Sequence, residues 1–338
     1  MLLWPLHAQA APAAPPPPSA AALLQHPSEV VLEDTKRIAF VSSVNGHAYA
    51  IDVALPEVPP PPKGYPVIYV LDGDGYFPSV AGAARMNGNA PDAVVVGVGY
   101  PRDPAWVEGV LKRHQPLPPA AAEEPPFWTA VGIEREYDLT PPADAATLAQ
   151  SQLAGMKMAP EDFGGVDGFL KTIEVDVKPR VAALVHVNPN DQTIFGHSLG
   201  GLAVVEALFT EPGAFHTFVA ASPSIWWADR SVLKKEGAFA AMIAAGAAAP
   251  RIIVTVGALE QTPPKVIPPE YAAHAEELKA RLARARMVGN ACDLVSRLQR
   301  LKGPLGYEVA PCVVFDGQAH GISVWPAIGR AIAFSRTP

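Results

Sequence analysis

Residues Thr193–Leu208 read TIFGHSLGGLAVVEAL. A β-rich lead runs into Gly196-His197-Ser198-Leu199-Gly200, and helix formers follow at once. A strand that reverses into a helix over so few residues leaves Ser198 at a sharp corner with its hydroxyl exposed. Gly196 and Gly200 are expected there because a Cβ would collide across the turn. The helix starting near Leu199 aims its unpaired N–H groups and positive end at the corner. The spacing therefore predicts Ser198 as a nucleophile and the Leu199 N–H as a donor to a developing oxyanion. His197, at the variable position of the pattern, is expected to point away.

The segments around this corner set the fold. RIAFVSSV and HAYAIDVAL alternate apolar and polar residues about Asn45-Gly46, which predicts a hairpin with a two-residue turn. After PPPPKG come YPVIYVLDG, DAVVVGVGY, QTIFGHS, TFVAASPS, RIIVTVGA and YEVAPCVVF, short near-continuous apolar runs separated by helical stretches. That rhythm predicts an α/β fold, an eight-stranded mostly parallel sheet with helices on both faces. Residues 101–163 interrupt it with a Pro-, Ala- and Glu-rich insert that is expected to form a lid or substrate wall. FLKTIEVDVKPRVAALV and YAAHAEELKARLARARMVGNACDLVSRLQRLKG read as helices.

Residues 1–30 read as a residual signal peptide, with Ala8-Gln9-Ala10 resembling a cleavage site, followed by a Pro/Ala tether; residues 31–338 form the predicted domain. That reading predicts a periplasmic or secreted protein. Hydrophobic residues at 49% and charged residues at 17% suit a sizeable core. A net charge of -7 without a basic run argues against nucleic acid as partner. No apolar run approaches the ~20 residues of a membrane-spanning helix. Cys292 is predicted on a helix and Cys312 on the following strand. Helix-on-sheet packing holds Cα atoms near or beyond the ~7 Å bridging limit, so packed thiols and a disulfide are both left open. Two cysteines without a histidine at ligand spacing imply no metal site, and no cofactor is implied.

A serine nucleophile needs a base. Among the histidines, His320 in DGQAHGIS follows the last strand, where a base reaches back over the C-terminal edge of the sheet. His47, His186, His216 and His274 fall where surface or packing roles are the default. The acid is expected between serine and histidine in chain order. Glu260, just past the strand RIIVTVG, fits better than Asp316, which is too close to His320, or Asp293, inside a helix. In LDGDGYF, Gly73 or Asp74 offers a second oxyanion N–H, and Asp74 is counted among the substrate-binding residues.

VIYVLDGDGYF, REYDLTP, FGHSLGGL, AASPSIWW and the late His-Gly together resemble the siderophore trilactone esterases, the enterobactin and salmochelin type, within the esterase-D-like α/β-hydrolases. The resemblance implies an α/β-hydrolase fold and a serine carboxylic ester hydrolase working through an acyl-enzyme. It implies Ser198 and His320 as nucleophile and base, with Gly73 and Leu199 as oxyanion donors. Arg135 would line the substrate cleft, and Ser222, Ser224 and Trp226 would form another wall. The partner is then a small-molecule ester, with iron entering only as part of a ferric catechol siderophore. A general acyl or carbohydrate ester hydrolase, an acyltransferase and a catalytically dead binding protein are the rival readings.

Overall fold

A computed structural model of the chain describes residues 31–86, 90–114, 124–150, 159–262 and 275–336. The tether at 1–30, His274 and parts of the insert (115–123 and 151–158) lie outside the described residues. No helix among the described residues is long and apolar enough to cross a membrane.

The strands are β1 (Thr35–Val41), β2 (Ala48–Ala54), β3 (Tyr65–Val70), β4 (Val94–Gly99), β5 (Val187–His197), β6 (Thr217–Ala221), β7 (Arg251–Gly257), β8 (Glu308–Val309) and β9 (Val313–Phe315). Their order is β1-β2-β4-β3-β5-β6-β7-β8, with β9 also on β7. β1 and β2 are antiparallel to their neighbours, and the pairs from β4 through β9 are parallel. This is the α/β-hydrolase arrangement, with eight positions across the sheet. The last position is shared by two short strands, with the register on β7 shifting by one residue between Ile252↔Val309 and Thr255↔Val313. β3, β4, β6 and β7 are buried along their whole length, as strands covered on both faces must be. The edge strand β1 alternates between half-buried and exposed residues.

Two expectations need correction, and one question left open is answered. Residues 42–47, not a two-residue turn, connect β1 to β2. Ser42 N–H donates to His47 O at 2.8 Å, and the Asp176 carboxylate receives Ser42 Oγ, Ser43 N–H and Ser43 Oγ at 2.9–3.1 Å. These side-chain bonds hold the wider loop against a hairpin turn that would have released them. The long helix before the last strand is two helices, Ala275–Ala285 and Met287–Leu298, separated by Arg286 in a left-handed conformation at φ 48°. Finally, Cys292 and Cys312 form a disulfide with Cα atoms 5.2 Å apart. Cys312 lies in the break between β8 and β9 rather than in a strand, so its backbone is free to approach the helix.

The insert is anchored on the sheet by the helix Pro126–Asp138. Asp138 is fully buried and receives the hydroxyls of Tyr49 and Tyr100, each at 3.0 Å. Burial pushes its carboxyl up to about 8, the Glu134 charge adds to this, and the two hydroxyls oppose it. His47 Nδ1 stands 4.0 Å from Asp138 and 3.6 Å from Glu134. An acid whose folded pKa exceeds its unfolded value keeps a proton that the unfolded chain releases, so stability falls as pH climbs from about 4 to about 8. Asp138→Asn should flatten that fall, because a neutral amide can take its place between the two hydroxyls. Thermal melts at pH 5 and pH 8 check this. The wild-type midpoint should drop by several degrees more than the variant's, and equal drops would remove Asp138 as the cause.

Candidate active site

β5 delivers Ser198 to the C-terminal edge of the sheet, and the helix Leu199–Thr210 leaves directly from it. Ser198 sits at φ 61°, ψ −119°, a conformation that side chains rarely adopt. The corner is held by Ser198 N–H donating to Ala221 O at 3.0 Å and by Ser224 N–H donating to Ser198 O at 3.1 Å. Gly196 is required as expected, since a Cβ there would run into the Gly200 backbone. The tighter glycine after the serine is Gly201 rather than Gly200. A Cβ at Gly201 would meet Ala221 O at 2.7 Å, whereas one at Gly200 would stand 3.2 Å from Asp72 Oδ2. The helix behind the serine is buried from Gly200 to Phe209.

The structure brings Ser198, His320 and Glu260 into one hydrogen-bonded chain. His320 Nε2 lies 2.8 Å from Ser198 Oγ, and His320 Nδ1 lies 2.6 Å from Glu260 Oε2. A carboxylate can only accept, so Nδ1 carries the imidazole proton and Nε2 accepts from the Ser198 hydroxyl. Glu260 is 2% exposed, on the short turn Ala258–Glu260 after β7. Its Oε1 receives both Gly257 N–H and Ser222 Oγ at 2.6 Å. Burial would raise the Glu260 carboxyl, but the His320 hydrogen bond and charge, with those from Ser222 and Gly257, outweigh it and hold it below the usual range. The β7 loop and the histidine loop are tied by Leu259 N–H donating to Gln318 O at 3.0 Å.

Two residues past the end of β3, Asp72 is left-handed at φ 53°, and the helix Gly73–Arg85 begins. Gly73 must lack a Cβ because one would overlap the Gly97 backbone at 2.5 Å. Gly73 and Leu199 are each the first residue of a helix, where the N–H has no intrahelical acceptor. Two positive helix ends thus converge beside Ser198, which is where negative charge develops during acyl transfer.

Several residues expected at the substrate have partners within the protein. Ser222 is fully buried and serves Glu260 instead of forming a wall. Ser224 is buried, with its backbone bracing the elbow. Trp226 is half-buried against Trp227, whose indole N–H donates to Pro141 O of the insert at 3.0 Å. Asp74 turns its carboxylate onto Tyr100 N–H at 2.8 Å, with its side chain 5% exposed, and burial pushes it up to about 6. Arg135 grips Asp72 in a two-point pair at 2.7 and 2.9 Å, so its charge is met within the protein and it braces the turn before Gly73. Asp72 was not singled out in the sequence. The available signal was an arginine in REYDLTP needing a carboxylate partner, and Asp72 at the end of an apolar strand supplies it. His197 does not point away either. It is 3% exposed and packs against His320, with ring centroids 4.8 Å apart.

Comparison with known proteins finds esterases. The family model described as "Putative esterase" matches residues 137–295. The chain is 34% identical to the ferri-bacillibactin esterase BesA of Bacillus subtilis, over 89% of each chain. It is 30% identical to the siderophore triacetylfusarinine C esterase of Aspergillus fumigatus, over 89% of this chain and 97% of that one. Among solved structures, the BES protein of Bacillus cereus superposes with a TM-score of 0.70 at 26% identity, covering 93% of this chain and 100% of that one.

Proposed function

The chain belongs to the siderophore esterase family, and from that membership we propose that it hydrolyses the esters of a siderophore through an acyl-enzyme on Ser198. The observation that carries the mechanism is the unbroken chain of hydrogen bonds Ser198–His320–Glu260. His320 removes the Ser198 proton as Oγ attacks the ester carbonyl. The oxyanion is received by the Gly73 and Leu199 N–H groups. Glu260 steadies the imidazolium, which returns its proton to the leaving alcohol, and water then releases the acid by the same route. The substrate class rests on the names of the relatives, which act on siderophore esters in a bacterium and a fungus. The disulfide Cys292–Cys312 supports a periplasmic or secreted setting, where such bonds persist.

The test is product analysis by mass spectrometry. The enzyme is incubated with a catechol trilactone, iron-free and ferric, beside acetylated and feruloylated sugars. Opening of the trilactone to linear hydroxy acids is expected. Cleavage of the sugar esters alone would overturn the substrate class while leaving the mechanism standing.

A further inference from the structure

The His320 side chain is 43% exposed and sits on a loop, so something other than burial must fix it. Glu260 holds one ring nitrogen. The other fixed point is the His320 carbonyl, which lies 3.0 Å from His197 Nε2 and 3.0 Å from Ser323 Oγ. A carbonyl oxygen has two lone pairs and takes both donors. Ser323 lies only three residues along the same loop, so its bond closes that loop on itself, whereas His197 donates to the carbonyl from the end of β5.

His197 can do this in one tautomer. A carbonyl only accepts, so Nε2 must carry the proton and Nδ1 must be the acceptor. The Tyr76 hydroxyl lies 3.2 Å from Nδ1 and donates to it. Tyr76 stands on the helix that begins at Gly73, so this link joins the oxyanion turn to the histidine loop through the residue before the nucleophile. Burial, reinforced by the charge of His320, pushes the His197 imidazole down to about 4, against the attraction of Glu260 and Asp72, so it stays neutral while His320 cycles.

We propose that His197, held in its Nε2–H tautomer by Tyr76, is a positioning residue that sets the catalytic imidazole through the His320 carbonyl. The proposal rests on the acyl-enzyme reading above. His197→Leu removes the donor. His197→Gln keeps an N–H near the Nε2 position. Tyr76→Phe leaves the imidazole but frees its tautomer.

Steady-state hydrolysis of p-nitrophenyl butyrate, with thermal melts and fluorophosphonate labelling, reads all three. In His197→Leu, kcat should fall on the order of 10–100-fold at unchanged KM, the scale of a small misplacement of a catalytic group. His197→Gln should recover most of that loss. Tyr76→Phe should lower kcat by roughly fivefold, the equivalent of one hydrogen bond. A well-folded His197→Leu with wild-type kcat, or with a changed KM alone, overturns the proposal. Should His197→Leu fail to fold, Tyr76→Phe decides, and an unchanged kcat overturns it. Failure of the acyl-enzyme reading looks different, because wild-type protein would then not be labelled at Ser198.

Discussion

Ser198→Ala should reduce turnover of an activated ester by at least about 10⁴-fold while leaving the fold intact, the scale seen when a nucleophilic serine is removed. The size follows from what one oxygen does. On the proposed mechanism Ser198 Oγ is the acyl acceptor, and the proton it gives to His320, 2.8 Å away, is the one later returned to the leaving group. Without it the oxyanion donors and the imidazole can at best guide a water molecule, which explains a small residual rate rather than none. The fold should survive because alanine keeps the Cβ that the φ 61° corner already accommodates. The bonds that hold the corner use the Ser198 backbone, not its hydroxyl. The measurement is kcat on p-nitrophenyl butyrate beside a thermal melt. A midpoint within a few degrees of wild type and loss of fluorophosphonate labelling complete the expected result. A variant that hydrolyses the ester at near wild-type rate would remove Ser198 from the chemistry.

What could be read from the chain, and what could not, divides by range of interaction. The elbow was legible because Gly196, Ser198 and the apolar helix after it act within a few residues, and backbone sterics alone select glycine at 196. The sheet was legible because strands buried on both faces leave continuous apolar runs. The order of serine, acid and base was legible because strand ends fix where their loops emerge. Side-chain destinations were not. Asp72 and Arg135 meet across 63 residues, and nothing local to either says that the arginine's charge is spent within the protein. Ser222 and Glu260 meet across 38 residues, and a serine after an apolar strand reads equally as a wall or as a prop. His197 was misread because the variable position was treated as free of contacts. Its partners, Tyr76 and the His320 carbonyl, come from the helix after β3 and from the loop after β9. The disulfide was left open because the final strand was read as continuous, whereas a one-residue register shift on β7 leaves Cys312 between two short strands.

Glu260→Gln is the second large effect, and its direction can be worked out atom by atom. Glu260 Oε1 receives two donors, Gly257 N–H and Ser222 O–H, both at 2.6 Å. In the glutamine variant the amide oxygen must occupy that place, because an NH₂ there would face two donors. The amide nitrogen is then turned toward His320 Nδ1, which Oε2 meets at 2.6 Å in the wild type. Nδ1 must become the acceptor, so the imidazole proton moves to Nε2. There it faces Ser198 Oγ, and the base can no longer take the serine's proton. The expected loss in kcat is about 10³–10⁴-fold with KM nearly unchanged, as for a triad whose acid is made an amide. The side chain keeps its volume in a site only 2% exposed, so the melt should stay close to wild type. Fluorophosphonate labelling should slow in parallel, since it needs the same proton transfer. A variant within tenfold of wild-type kcat would mean that Glu260 does not set the tautomer of His320, and that Ser198 and His320 work as a pair.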